Sequence, residues 1–245
     1  VSHRELFGSG GRAAWAAKQL GCPVGLRTCV DHETEPDASQ WAADTEIHIE
    51  TERVPRVPAF QYRHPLSRPF IEPGPSDLVT PASFEVIVPV ALRFGMLEAS
   101  PVVQGETVVY DPQSAFVPEH FHANGSTATR LAVLANDYEA LALVGGERMG
   151  FEALAHALRV RENAEVAVLK AGAFGSWIAT DGDCAHVPCR VTERVWSLGS
   201  GDVFAAVFAV RWAVEGVVPQ LAVEDAIRGV AQYVDTRSAP TREDL

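Results

Sequence analysis

WSLGSGDVFAAVFAVRWAVEG, residues 196–216, sets three small residues and an aspartate directly before a long apolar run. Val203, Phe204, Val207, Phe208, Val210, Trp212 and Ala213 recur at helical spacing and Gly216 supplies a stop, so the stretch predicts a helix starting near Gly201. The first amides of a helix lack internal partners, and the helix dipole is positive at that end. Gly199, Ser200 and Gly201 would let those N–H groups come close to an anion. A carboxylate at Asp202 repels phosphate, but it is well placed to take a proton from a hydroxyl attacking one. The plainer reading of the same residues is a helix start with glycine in the turn and aspartate in the first turn.

The rest of the chain sets the frame for that choice. Its 245 residues, 47% apolar and 21% charged, suit one sizeable soluble domain with room for a small appendage. A net charge of −12 argues against a nucleic-acid or anionic-membrane surface, while leaving room for a local basic pocket. Cys22, Cys29, Cys184 and Cys189 have neither zinc-site spacing nor the density of a disulfide framework, and read as reduced thiols. No apolar run reaches the roughly 18 to 20 residues of a membrane span, and VSHRELFGSGG lacks a signal-peptide core. A cytoplasmic location is the expectation.

From residue 107 onward, β-branched runs alternate with helical patterns: TVVYD (107–111), LAVLA (131–135), NDYEALALVG (136–145), FEALAHALRV (151–160) and EVAVLKA (165–171). That alternation predicts a parallel sheet wrapped by helices. SWIAT (176–180) and CAHVP (184–188) flank the turn DGDC and read as antiparallel strands, followed by the helix at 202 and another over 222–236. Near the start, GRAAWAAKQLG (11–21) reads as a helix and PVGLRTCV (23–30) as a strand. Between Asp31 and Pro81 the chain is rich in Pro, Glu, Asp and Arg, yet EIHIETE (46–52) and AFQYRH (59–64) alternate like solvent-facing strands. The expected organisation is an α/β domain over 1–30 and 82–245, with a small β lid inserted at 31–81.

Several of these stretches, in this order, resemble the ribokinase-like sugar and nucleoside kinases, also called the phosphofructokinase B family. LGSGDVFAAVFA (198–209) is similar to that family's GAGD signature, SGGRAAWAAKQLG (9–21) to its early diglycine and helix, and NDYE (136–139) to its N-x-x-E motif. KAGAFGSWI (170–178) resembles the nucleotide-side glycine turn, and VVYDPQ (108–113) the strand end that usually reads D-P-N. The GAGD match is fairly specific, and the others gain weight from their order. The resemblance implies a three-layer α/β/α sandwich with a mostly parallel central sheet and a small β-strand lid. It also implies transfer of the γ-phosphoryl group of ATP, with Mg²⁺, to a hydroxyl of a small acceptor.

On that reading Asp202 is the general base and the amides of Gly199, Ser200 and Gly201 hold the migrating phosphoryl. The resemblance assigns Asn136, Glu139, Lys170, Gly172 and Gly175 to the nucleotide side, with Glu139 holding Mg²⁺ through water. It assigns Gly10, Gly11 and Asp111 to the acceptor. Other readings remain open. Asn136 and Glu139 also fit a helix cap with a capping-box glutamate, Gly172 and Gly175 a turn needing positive φ, and Asp111 a turn before Pro112. His120 and His122 in EHFHAN read as a solvated loop rather than a metal site, since no third ligand is near.

The chain also departs from the pattern. Trp196-Ser197 stands where the family commonly has Asp-Thr, and that Asp usually helps bind a monovalent cation, so no potassium activation is expected. Trp15 stands at the family's substrate-binding Asn and offers a single indole donor. The family's first strand and the acidic residue after it have no counterpart in the sequence. A stacking Trp15 and the lid residues Phe60 and Tyr62 would suit a nucleoside or another ring-bearing ligand, although aromatic residues on such strands also serve packing. The expectation is a kinase for a small sugar or nucleoside, with exposed lid strands suited to a homodimer contact. The alternative is a non-catalytic nucleotide- or metabolite-binding protein that retains the fold.

Overall fold

A computed structural model describes residues 8–64, 66–67, 69–74, 82–114, 116–146 and 148–245. The reading of VSHRELF, and the end of the expected lid at Pro81, lie outside the described residues. Helix α1 (Gly8–Gln19) buries Ala13, Ala14, Ala16 and Ala17, whose small side chains let it lie close to its neighbours. Strand β1 (Gly25–Val30) follows, then helix α2 (Glu35–Thr45) and strand β2 (His48–Arg53), which pairs parallel with β1. Strands β3 (Ala59–Gln61) and β4 (Phe70–Glu72) form an antiparallel pair.

The expected lid segment therefore holds a helix as well as strands. Pro36 sits in the first turn of α2, where a missing N–H costs nothing, and only Ala38 is buried along it. A helix that buries so little carries no apolar stripe to be read. Residues 48–52 of EIHIETE belong to β2, inside a strand–helix–strand unit with β1, while Glu46 caps α2, and AFQYRH contributes β3 to the hairpin.

Strand β5 (Glu85–Phe94) begins the main sheet, ahead of the alternation expected from residue 107. It is followed by β6 (Val102–Asp111), β7 (Thr127–Asn136), helix α3 (Asp137–Val144), helix α4 (Phe151–Arg161), β8 (Val166–Lys170), β9 (Ser176–Ala179) and β10 (Cys184–Val187). The spatial order is β10-β9-β8-β7-β6-β5, parallel from β5 to β8 and antiparallel over β9 and β10. Pro89 is tolerated in β5 because that strand ends the sheet and has an unpaired edge among the described residues.

Helix α5 (Ser200–Phe208) continues through a wider turn over Ala209–Val214 and stops at Gly216, whose φ is +70°. Helix α6 (Pro219–Thr236) starts three residues before the expected 222, with Pro219 at its head.

Two cores lie on opposite faces of the sheet. Val109, Leu134 and Val168 meet α1, α5 and α6 on one face, with Phe204, Phe208 and Trp212 among them. Val108, Tyr110, Val133 and Leu169 meet α3 and α4 on the other. Neighbouring residues on one strand go to different cores, as a period of two requires when both faces are covered. This is the expected three-layer α/β/α sandwich. Among the described residues, no helix is long and apolar enough to cross a membrane.

Candidate active site

The parallel strands β6, β7 and β8 end at Asp111, Asn136 and Lys170, so three polar residues emerge at one edge of the sheet, with Asn136 and Lys170 in register. Such carboxyl ends are where open α/β sheets bind ligands. Lys170 Nζ donates to Asp111 Oδ2 at 2.5 Å. Asp111 is wholly buried, and its Oδ1 has no hydrogen-bond partner among the described residues. Burial pushes its carboxyl up from 3.8 to about 6 against the pull of Lys170, and Glu139 and Asp202 push the same way. Burial works against the Lys170 ammonium, but Asp111, Glu139 and Asp202 together outweigh it and raise its pKa. The two directions agree, because the lysine sees three carboxylates while Asp111 sees one cation and two like charges.

Asn136 and Glu139 form a reciprocal cap on α3. The Asn136 side chain accepts from the Glu139 N–H, and the Glu139 carboxylate accepts from the Asn136 N–H, each at 2.9 Å. Glu139 is 4% exposed. Mg²⁺ is a hard cation that keeps several waters and takes one or two carboxylates. Glu139 and the orphan Asp111 oxygen fit that water-mediated mode, although the Lys170 ammonium shares Asp111. Among the described residues, no group of three or more His, Cys, Asp or Glu could hold a metal ion. His120 of the EHFHAN loop faces the buried Glu162, its Nδ1 lying 2.5 Å from the carboxylate.

Asp202 lies in the first turn of α5 and is 3% exposed. Arg12 Nε donates to its Oδ2 at 2.7 Å, and Gln113 Nε2 donates to its Oδ1 at 2.5 Å. Ser9 Oγ donates in turn to Gln113 Oε1. Ser9, Gly10, Gly11 and Arg12 share the first turn of α1, which brings the diglycine to the same place as the start of α5. Gly199 has φ +81°, and a Cβ there would fall 2.6 Å from the Tyr233 hydroxyl and 2.7 Å from Arg12 Cδ. A Cβ on Gly201 would meet nothing within 4 Å. A side chain at Gly201 would therefore meet no neighbour, while Gly199 makes room for Arg12 and Tyr233.

The glycine turn after β8 divides in the same way. Gly172, at φ +56°, is open, whereas a Cβ on Gly175 would fall 2.3 Å from the Val187 carbonyl oxygen. A cavity of about 430 Å³ lies beyond that contact, lined by His186, Val187, Pro188, Cys189, Arg190, Gln220, Glu224, Ile227 and Arg228. None of the sequence-predicted site residues lines it, so its size alone does not mark the site of chemistry.

The structure brings Asp202, Asp111, Lys170 and Glu139 within electrostatic reach of one another. Asp111 faces Lys170 rather than solvent. Trp15 packs against the α1–α5–α6 core, as does Trp196, whose ring lies under the Arg237 guanidinium at 3.8 Å. Sequence reasoning did not single out Ser9, Arg12, Gln113 or Tyr233. Arg12 follows the diglycine directly and Gln113 closes VVYDPQ, so adjacency to the motifs was the signal that could have found them. Tyr62 of the expected lid belongs to the same neighbourhood. Burial raises its phenol pKa, with Arg12 opposing and Asp202 adding.

No protein-family model matches the sequence, and no curated protein matches it. Solved structures do match in fold. Ribokinase from Thermotoga maritima is 18% identical, with a TM-score of 0.66 over 97% of this chain and 85% of its own. A nucleoside kinase from Burkholderia thailandensis, in complex with inosine, is 14% identical, with a TM-score of 0.70 over 99% of this chain and 86% of its own. Fructokinase from Vibrio cholerae, in a fructose-, ADP- and calcium-bound form, is 15% identical, with a TM-score of 0.65 over 96% and 88%. The chain has the ribokinase-like fold.

Proposed function

We propose that the protein is an ATP-dependent kinase that transfers the γ-phosphoryl group to a hydroxyl of a small polyhydroxylated acceptor, a sugar or a nucleoside. The observation that carries the reading is a buried Asp202 in the first turn of α5, next to a Gly201 whose Cβ position has no neighbour within 4 Å. Inosine and fructose, bound by two proteins of similar fold, support the acceptor class.

In this reading Asp202 takes the proton of the acceptor hydroxyl as its oxygen bonds to the γ-phosphorus, and the bond from that phosphorus to the β–γ bridging oxygen breaks, releasing ADP. The amides of Ser200 and Gly201 face the charge gathering on the transferred group. Lys170 and the α3 start at Asn136 lie toward the nucleotide phosphates. Mg²⁺, held through water by Glu139, would neutralise charge on those phosphates. The turn that ends at Gly175 and the cavity beside it share the wall Val187–Cys189, which suits the nucleotide side. Gly10 and Gly11 lie toward the acceptor, and the β3–β4 hairpin with Tyr62 covers it.

A second reading, a non-catalytic nucleotide- or metabolite-binding protein, is favoured by the engagement of both Asp202 oxygens and by Trp15 and Trp196 serving the core. ATP consumption measured against a panel of sugars and nucleosides separates the two. Asp202→Asn is expected to lower kcat at least about 10²-fold with ATP binding unchanged, because it removes the base and leaves the amides in place. Near-normal turnover in that variant would refute the base assignment.

A further inference from the structure

Asp202 is held from both sides. A carboxylate offers about four lone-pair sites. Arg12 Nε takes one on Oδ2 and Gln113 Nε2 one on Oδ1, so a direction on each oxygen remains for an incoming hydroxyl. The orientation of the Gln113 amide follows from Asp202. Because an ionised carboxylate only accepts, the NH₂ end must turn toward Asp202, which leaves Oε1 to accept from the Ser9 hydroxyl. Arg12 reaches the carboxylate across the α5 start only because Gly199 has no side chain there, since a Cβ would lie 2.8 Å from Arg12 Nε. The contacts come from three separate elements: the first turn of α1, the loop after β6 and the first turn of α5.

We propose that Arg12 and Gln113 are positioning residues that fix the rotamer of Asp202 and aim its remaining lone pairs at the acceptor hydroxyl. The inference rests on the reading of Asp202 as base. A carboxylate that is 3% exposed and lacks one partner would be left partly unsatisfied, and would turn toward whichever donor remained. Proton abstraction is sensitive to such a turn, since displacement of a reacting group by about 1 Å can cost about 10²-fold in rate. Removing either partner should therefore lower kcat and leave the KM for ATP in place, because neither residue belongs to the nucleotide side of the proposed site.

The test reads the contact and its consequence separately. In nitrogen-labelled protein, the Arg12 Nε–H resonance, assigned by its disappearance in Arg12→Lys, is expected to shift in Asp202→Asn. A resonance unmoved by that substitution overturns the proposal, whatever the turnover. In ATP turnover, with an acceptor or with water alone, Arg12→Lys and Gln113→Ala are each expected to lower kcat about tenfold or more, with KM for ATP within about twofold. Neither should add a loss in the Asp202→Asn background. Losses that multiply in that background, or a rise in KM without a fall in kcat, overturn the positioning role. If Asp202→Asn itself turns over ATP normally while the resonance shift stands, the base assignment has failed and positioning falls with it, leaving a structural contact.

Discussion

Asp111 should make the stability of this protein depend on pH in a way that one substitution removes. Its carboxyl is wholly buried and raised from 3.8 to about 6, faced by Lys170, Glu139 and Asp202. Such a displacement corresponds to about 3 kcal/mol at about 1.4 kcal/mol for each tenfold change in proton affinity. The folded-state value lies above the unfolded one, so the native chain holds a proton that the unfolded chain has already released. This contribution is fully present below the unfolded value of 3.8 and is lost as pH rises through about 6. Asp111→Asn keeps an oxygen acceptor for Lys170 and has nothing to titrate. Wild-type stability minus that of the variant should therefore fall by up to about 3 kcal/mol between about pH 4 and pH 7. Urea unfolding of both proteins at intervals across that range measures the difference, and groups that do not interact with Asp111 cancel. Curves that run parallel to within roughly 0.5 kcal/mol would refute the argument, and would mean that Lys170 and local polarity hold Asp111 near its ordinary value.

Four further outcomes follow from the geometry. Gly199→Ala should destabilise the protein by about 1 to 3 kcal/mol, because it adds strain at φ +81° to a collision with Arg12 and Tyr233. Gly201→Val should change stability by less than about 1 kcal/mol yet abolish phosphoryl transfer by filling the space before the α5 amides, and normal transfer would show that the cradle is wrongly placed. Exchange of K⁺ for Na⁺ at fixed ionic strength should leave turnover within about twofold, because an indole under the Arg237 guanidinium brings no oxygen ligand; a several-fold rise with K⁺ would count against this. In hydrogen exchange, a true acceptor should slow amides at 59–64 more than an ATP analogue does. Residues 48–53, already paired with β1, should not respond, and a hairpin indifferent to every ligand would sink the moving lid.

The sequence by itself determined what depends on local period and local backbone chemistry. The apolar spacing after Gly201 gave α5, the runs TVVYD (107–111), LAVLA (131–135) and EVAVLKA (165–171) gave three neighbouring strands, and the capping residues gave the start of α3. Helix α2 and strand β5 escaped it. One buries only a single alanine, and the other carries Pro89 within the strand, so neither shows the period that its geometry would lead one to expect. The environment of Asp202 was out of reach for a different reason. Its partners Arg12 and Gln113 lie 190 and 89 residues away in the chain, and no periodicity couples such distant positions. The same holds for Asp111, whose proton affinity depends on burial and on three charges brought from β8, α3 and α5. Only the packing of those elements at one edge of the sheet decides these contacts, because electrostatic and hydrogen-bond energies depend on distances of a few ångströms that chain order does not encode.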